Sequence, residues 1–119
     1  MFVLYCFLNN NMKIIFDERE KSLYEQCSFI LSSQATPSYA QLSSEMLTLG
    51  DILIKTDEDQ DLLLIERKTF SDLIASIKDG RYEEQSYRLL HSSGFPLHSI
   101  IYLLEGNFSQ LINPIEKRM

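Results

Sequence analysis

Apolar residues come in short runs whose period changes along the chain. Residues 13–16 (KIIF) form a brief apolar run closed by Asp17, Glu18, Arg19 and Glu20, the pattern of a buried strand meeting a charged turn. Over residues 20–32, Leu23, Cys27, Ile30 and Leu31 fall at i, i+4, i+7 and i+8, which predicts a helix with one apolar face. Residues 32–44 are rich in Ser, Gln, Thr and Pro and read as a loop or a weak strand around Pro37. Residues 46–54 (MLTLGDILI) are strand-like but interrupted by Gly50, as expected where a strand bends or another group comes close to the backbone. An acidic hairpin loop over 57–61 leads into residues 62–68 (LLLIERK), an apolar strand that ends in three charges. Phe70, Leu73, Ile74 and Ile77 then repeat at helical spacing, with Thr69 and Asp72 spaced as a capping box and Gly80 at the far end. A second helix over 81–91, a loop with Gly94 and Pro96, and a buried strand over 100–104 (IIYLL) complete the pattern. The order is strand, helix, two or three antiparallel strands, helix pair, strand: an α/β sandwich with charged residues gathered at strand ends.

At 119 residues, with 45% hydrophobic and 24% charged residues, the chain has the size and composition of one folded domain. Residues 1–8 are apolar but far short of the roughly 20 needed to cross a bilayer, and they lack the features of a signal peptide. Residues 1–11 are therefore read as an N-terminal extension, with an extra edge strand as the alternative, and 12–119 as the domain proper. Met12 is an alternative start, which intact-mass measurement would settle. Two cysteines without a secretory signal fit reduced intracellular thiols. His91 and His98 have no cysteine or histidine partners at zinc-site spacing.

The net charge of −6 argues against a broad basic surface for non-specific nucleic-acid binding. Its distribution is uneven. Asp57, Glu58, Asp59 and Asp61 form an acidic segment that lacks the glycine and glutamate of a calcium loop, while Arg67, Lys68, Lys78, Arg81 and Arg88 follow it.

The chemistry concentrates in residues 50–88. Phosphodiester hydrolysis needs a nucleophilic water, counter-charge for the developing oxyanions and help for the leaving alkoxide, and magnesium serves all three when held by one or two carboxylates. Asp51, beside the bend at Gly50, and Glu66, at the end of the next strand, are suited to be those acids if their strands pair. Strand alternation sends Glu66 and Lys68 to one face and Arg67 to the other, so Lys68 is placed to orient or polarise the attacking water. The bland alternative is a surface Glu66–Lys68 ion pair of little energetic consequence. Glu20 is a further candidate metal ligand, beside Asp17. Both also suit a helix N-terminus, where acids contribute ~0.3–1 kcal/mol each; Asp72 has the same alternative, and Arg81 and Arg88 could simply pair with Glu83 and Glu84.

Four elements in order, DERE at 17–20, GD at 50–51, IERKTFSD at 65–72 and DGRYEEQ at 79–85, resemble the nuclease domain of the XPF family of structure-selective endonucleases. The resemblance runs from residue 12 to 106. It implies a restriction-endonuclease-like fold, a central mixed sheet flanked by helices on both faces, and Mg²⁺- or Mn²⁺-dependent cleavage of DNA near flaps, forks and bubbles in repair or recombination. It implies metal-ligand roles for Asp51 and Glu66 and the catalytic lysine role for Lys68. Asp17, Glu20, Arg67 and Asp72 match further active-site positions; Arg81 and Gln85 match motif positions that support the site or touch DNA, and Arg81, Gln85 and Arg88 are the candidate DNA contacts. Family members usually carry additional DNA-binding or helicase domains and continue beyond the last strand here into a dimerisation region. The expectation is thus a nuclease domain, either C-terminally truncated or a reduced form, that pairs as a homo- or heterodimer, gripping DNA through a domain it lacks or a partner supplies. Its expected setting is the nucleus or another site of DNA replication and repair. Two other readings stand beside this one: a phosphodiesterase acting on small or cyclic nucleotides, and a non-catalytic dimerisation or DNA-binding module.

Overall fold

The computed structural model describes residues 11–34, 40–107 and 109. Its elements are β1 (Met12–Asp17), α1 (Lys21–Ser32), β2 (Ala40–Glu45), β3 (Ile52–Thr56), β4 (Asp61–Thr69), α2 (Phe70–Lys78), α3 (Arg81–Ser92) and β5 (Ile100–Glu105), with single 310 turns at Glu18–Glu20 and Leu97–Ser99. The strands form one sheet in the order β2-β1-β3-β4-β5. β1 runs parallel to β2 and antiparallel to β3, and β3 runs antiparallel to β4, so the sheet is mixed and the α/β class is as expected.

The chain divides into two compact units at the middle of β4, Met1–Ile65 and Glu66–Met119. In the first, Met12, Phe16, Ile52, Ile54 and Leu63 form a buried cluster. The inward face of α1 supplies Leu23, Tyr24 and Cys27 to it, and the Tyr24 ring meets Phe16 edge-on at 5.6 Å. Burying one such aromatic or aliphatic side chain contributes about 1.5–3 kcal/mol. Ile30, expected on that face, is instead exposed. β3 and β4 form the expected hairpin around the acidic loop, where the Asp59 N–H donates to Thr56 O and the Lys13 Nζ reaches Asp59 Oδ1 at 2.7 Å.

Two expectations need correction. The strand over 100–104, expected to be buried, exposes Ile101, Leu103 and Leu104, whereas residues 40–45 (AQLSSE) form a strand parallel to β1, in keeping with the weak-strand alternative for that stretch. The strand expected over 46–54 begins only at Ile52, because the chain at 46–51 leaves the ladder to make the bend at Gly50. Pro37 and residues 1–10 lie outside the described residues.

In the second unit α2 and α3 pack on each other. The Thr69 hydroxyl accepts from the Asp72 N–H at 3.1 Å, which caps α2 as its spacing predicts. Gly80, with a left-handed φ of 81°, ends the link to α3. On α3, Tyr82, Gln85, Ser86 and Leu89 turn inward while Arg81, Glu83, Glu84, Tyr87 and Arg88 remain exposed. Among the described residues no helix is long and apolar enough to cross a membrane.

Candidate active site

In the first unit, the end of β1 and the start of β3 are joined by backbone. The Asp17 N–H donates to Asp51 O at 2.8 Å, and the Asp51 N–H donates to Ile65 O at 2.8 Å. Asp51 is thereby stitched on one side to β1 and on the other to the residue that precedes Glu66. The approach to it requires Gly50. Its φ is 79°, and a Cβ there would lie 2.5 Å from Leu64 Cδ1 and 2.9 Å from Leu64 Cγ. Both reasons for glycine, backbone conformation and close packing, apply at this one position.

Asp17 is the buried carboxylate of this unit, at 2% exposure. Its Oδ1 accepts from the Leu47 N–H at 2.9 Å, and its Oδ2 accepts from the Arg19 N–H at 3.0 Å and from Arg19 Nε at 2.7 Å. Burial pushes its pKa up, but the bonds from the Arg19 side chain, the Leu47 and Arg19 amides and the Arg19 charge outweigh it and hold Asp17 below the usual carboxylate value. Asp17 thus ties the end of β1 to the 46–50 segment. Glu20 closes the 310 turn that follows it, half-buried.

In the second unit, the end of β4 carries Glu66, Arg67 and Lys68, all half-buried. The Arg67 guanidinium grips Glu105 of β5 with both Nε and Nη2, the latter at 2.9 Å, and this ion pair lowers the Glu105 pKa. Lys68 Nζ donates to Gln85 Oε1 of α3 at 2.6 Å. Glu66 is close enough to the Tyr102 phenol to matter electrostatically. Burial chiefly, then Tyr82 and then Glu66, push the Tyr102 pKa up. The Tyr82 and Tyr102 rings lie 6.4 Å apart.

Within the second unit the structure brings Arg67 to Glu105 and Lys68 to Gln85. Asp72 is exposed in the first turn of α2. Arg81 pairs with Asp79 at 2.7 Å and Arg88 with Glu84 at 2.8 Å. Glu105, Tyr102 and the Leu47 amide are contributors that sequence reasoning missed. Only Glu105 left a trace, as the charge that closes an apolar strand. Among the described residues no three acidic, histidine or cysteine side chains converge into a ready-made metal cage. Magnesium does not require one, since one or two carboxylates with water and phosphate oxygens suffice, and Asp51 in the first unit and Glu66 in the second each offer a carboxylate, a donor of the right hardness.

An α/β architecture of this kind is shared with XPF from Aeropyrum pernix, at a TM-score of 0.53 and 27% identity over 80% of this chain and 38% of that one. The model of the ERCC4 domain matches residues 16–119, and the chain belongs to that family. It is 42% identical over 109 residues to the probable crossover junction endonuclease mus81 of Dictyostelium discoideum, covering 87% of this chain and 11% of that protein. It is also 45% identical over 51 residues to the ERCC4 domain-containing protein EP364R of African swine fever virus, covering 43% of this chain and 13% of that protein. The chain thus spans about a tenth of the length of these relatives.

Proposed function

We propose that this chain is the catalytic core of a structure-selective DNA endonuclease that hydrolyses phosphodiester bonds near branch points with Mg²⁺ or Mn²⁺, in repair or recombination. The observation that carries the proposal is the backbone bond from Asp51 to Ile65, which ties one acid of the Gly-Asp bend to the strand position just before the Glu-Arg-Lys run. Membership of the ERCC4-domain family and the relatives named as crossover junction endonucleases support it.

Asp51 and Glu66 would hold the cation, with Glu20 as a further candidate ligand. When bound, the cation supplies counter-charge to the scissile phosphate and lowers the pKa of a coordinated water. In the reaction a water oxygen forms a bond to phosphorus, the bond to one ester oxygen breaks, and a proton passes to the leaving alkoxide. Lys68 directs the water from the face it shares with Glu66. Arg67 is held away from that face by Glu105, so its part is to fix the end of β4 against β5.

A net charge of −6 gives the isolated chain little grip on DNA, so a further domain or a partner protomer completes the substrate site. Among the described residues β5 is the last strand of the sheet and exposes Ile101, Leu103 and Leu104, a surface suited to such a partner. The reading places the protein with chromosomal or viral DNA in the compartment where that DNA is copied and repaired.

Labelled flap, fork, bubble and linear duplexes, incubated with Mg²⁺, Mn²⁺ or EDTA, test the proposal. Cleavage of branched substrates with either metal is expected, with none in EDTA and none by Asp51→Asn or Glu66→Gln variants that retain the native circular dichroism spectrum. Undiminished metal-dependent cleavage by both variants would falsify the assignment.

A further inference from the structure

We propose that Gln85 is a positioning residue for Lys68: its side-chain carbonyl holds the lysine Nζ in the orientation that directs water, and the residue is not a DNA contact. This rests on the functional reading above and deepens it.

The geometry lies wholly within the second unit. Lys68 projects from the end of β4 on a flexible four-carbon stem, and fixing such a side chain costs rotamer entropy. The Gln85 oxygen at 2.6 Å is the acceptor that offsets this cost. Gln85 is half-buried on α3, between the exposed Arg81 and Arg88 on one side and Tyr82 and the buried Leu89 on the other. Leu89 and the Tyr82–Tyr102 contact fix the helix that carries it. On this helix Arg81 pairs with Asp79 and Arg88 with Glu84. A neutral amide therefore faces Lys68, which orients the amine without neutralising it. An aspartate or glutamate there would form an ion pair and compete with the phosphate for the lysine's charge.

Two measurements on the full chain test this. The first is limiting acylation with acetic anhydride, read lysine by lysine by mass spectrometry. Gln85→Leu is expected to raise the reactivity of Lys68 several-fold and leave Lys13, Lys55 and Lys78 unchanged. The second is single-turnover cleavage of a branched duplex. Gln85→Leu should lower the rate at saturating DNA by ~10- to 100-fold, the scale of a misplaced reacting group, with Kd for DNA held within about twofold. Gln85→Glu, which keeps an acceptor but pairs its charge with the lysine, should restore the slow acylation of Lys68 without restoring the rate. Unchanged Lys68 acylation in Gln85→Leu overturns the proposal, and so does a weakened Kd with an unchanged rate, the signature of a DNA contact. If the native chain cuts no branched DNA, the endonuclease reading fails, while the acylation pattern still decides whether Gln85 orients Lys68.

Discussion

Replacing Asp17 with asparagine keeps the shape of the side chain and removes its charge. The two carboxylate oxygens accept three bonds, from the Leu47 amide and from the Arg19 amide and Nε. An asparagine can present only one oxygen, so its NH₂ must face either the Leu47 N–H or the two Arg19 donors. Arg19 is largely exposed and regains water, so its ion pair counts for little. The Leu47 amide is only part-buried, yet it loses a charged acceptor, a contact type worth about 1.5–3 kcal/mol. The expected destabilisation at pH 7 is thus about 2 kcal/mol. Urea denaturation followed by circular dichroism reads this directly: with a slope of ~1–3 kcal/mol/M, the midpoint should fall by roughly 1 M. The pH dependence gives an independent check. Because folding lowers the pKa of Asp17 from its ordinary 3.8, its charge-linked stabilisation is complete above that value and is lost as pH falls through the depressed folded value. Native and variant midpoints should therefore converge in strongly acidic buffer. A difference below about 0.5 kcal/mol at pH 7, the scale of an ordinary surface substitution, would refute the bracing role, as would a gap that widens on acidification.

Gly50→Ala should destabilise by about 1–3 kcal/mol, since the new Cβ meets Leu64 Cδ1 at 2.5 Å and the backbone has a positive φ; a thermal melt measures it. A double-mutant cycle on Arg67→Met and Glu105→Gln should give a coupling of no more than about 1 kcal/mol to stability, because both side chains are about one-third exposed. The same cycle on cleavage should show a larger coupling if the pair fixes the end of β4, and additive effects on rate would remove that role. Leu89→Ala should cost about 2–4 kcal/mol through the cavity it leaves under α3, read as a lower urea midpoint.

Most of the fold is legible in the sequence, and the exceptions have physical causes. KIIF and LLLIERK announce strands because they are apolar on both faces, and α2 announces its start through Thr69 and Asp72. AQLSSE does not, because a strand at the end of the described sheet has less need for apolar residues than a central one. Gly50 was readable as a break in an apolar run, but the run's first half proved to be the bend itself. Ile30 has the right spacing for the apolar face of α1, yet Tyr24 takes the packing against Phe16. The candidate site divides in the same way. The acids and the lysine stand out as charges ending apolar strands, whereas the acceptors of Lys68 and Arg67 lie 17 and 38 positions away. Local spacing carries no information about such distant pairings.

The two ends of the sheet differ, and the difference limits how copies of this molecule can add to one another. β2 is short, polar and broken by serines, a poor template for another strand, whereas β5 ends the described sheet with apolar side chains exposed. An edge of this kind has a valence of one: a contact through it about a twofold axis uses it up, so this edge by itself supports a pair and not a fibre.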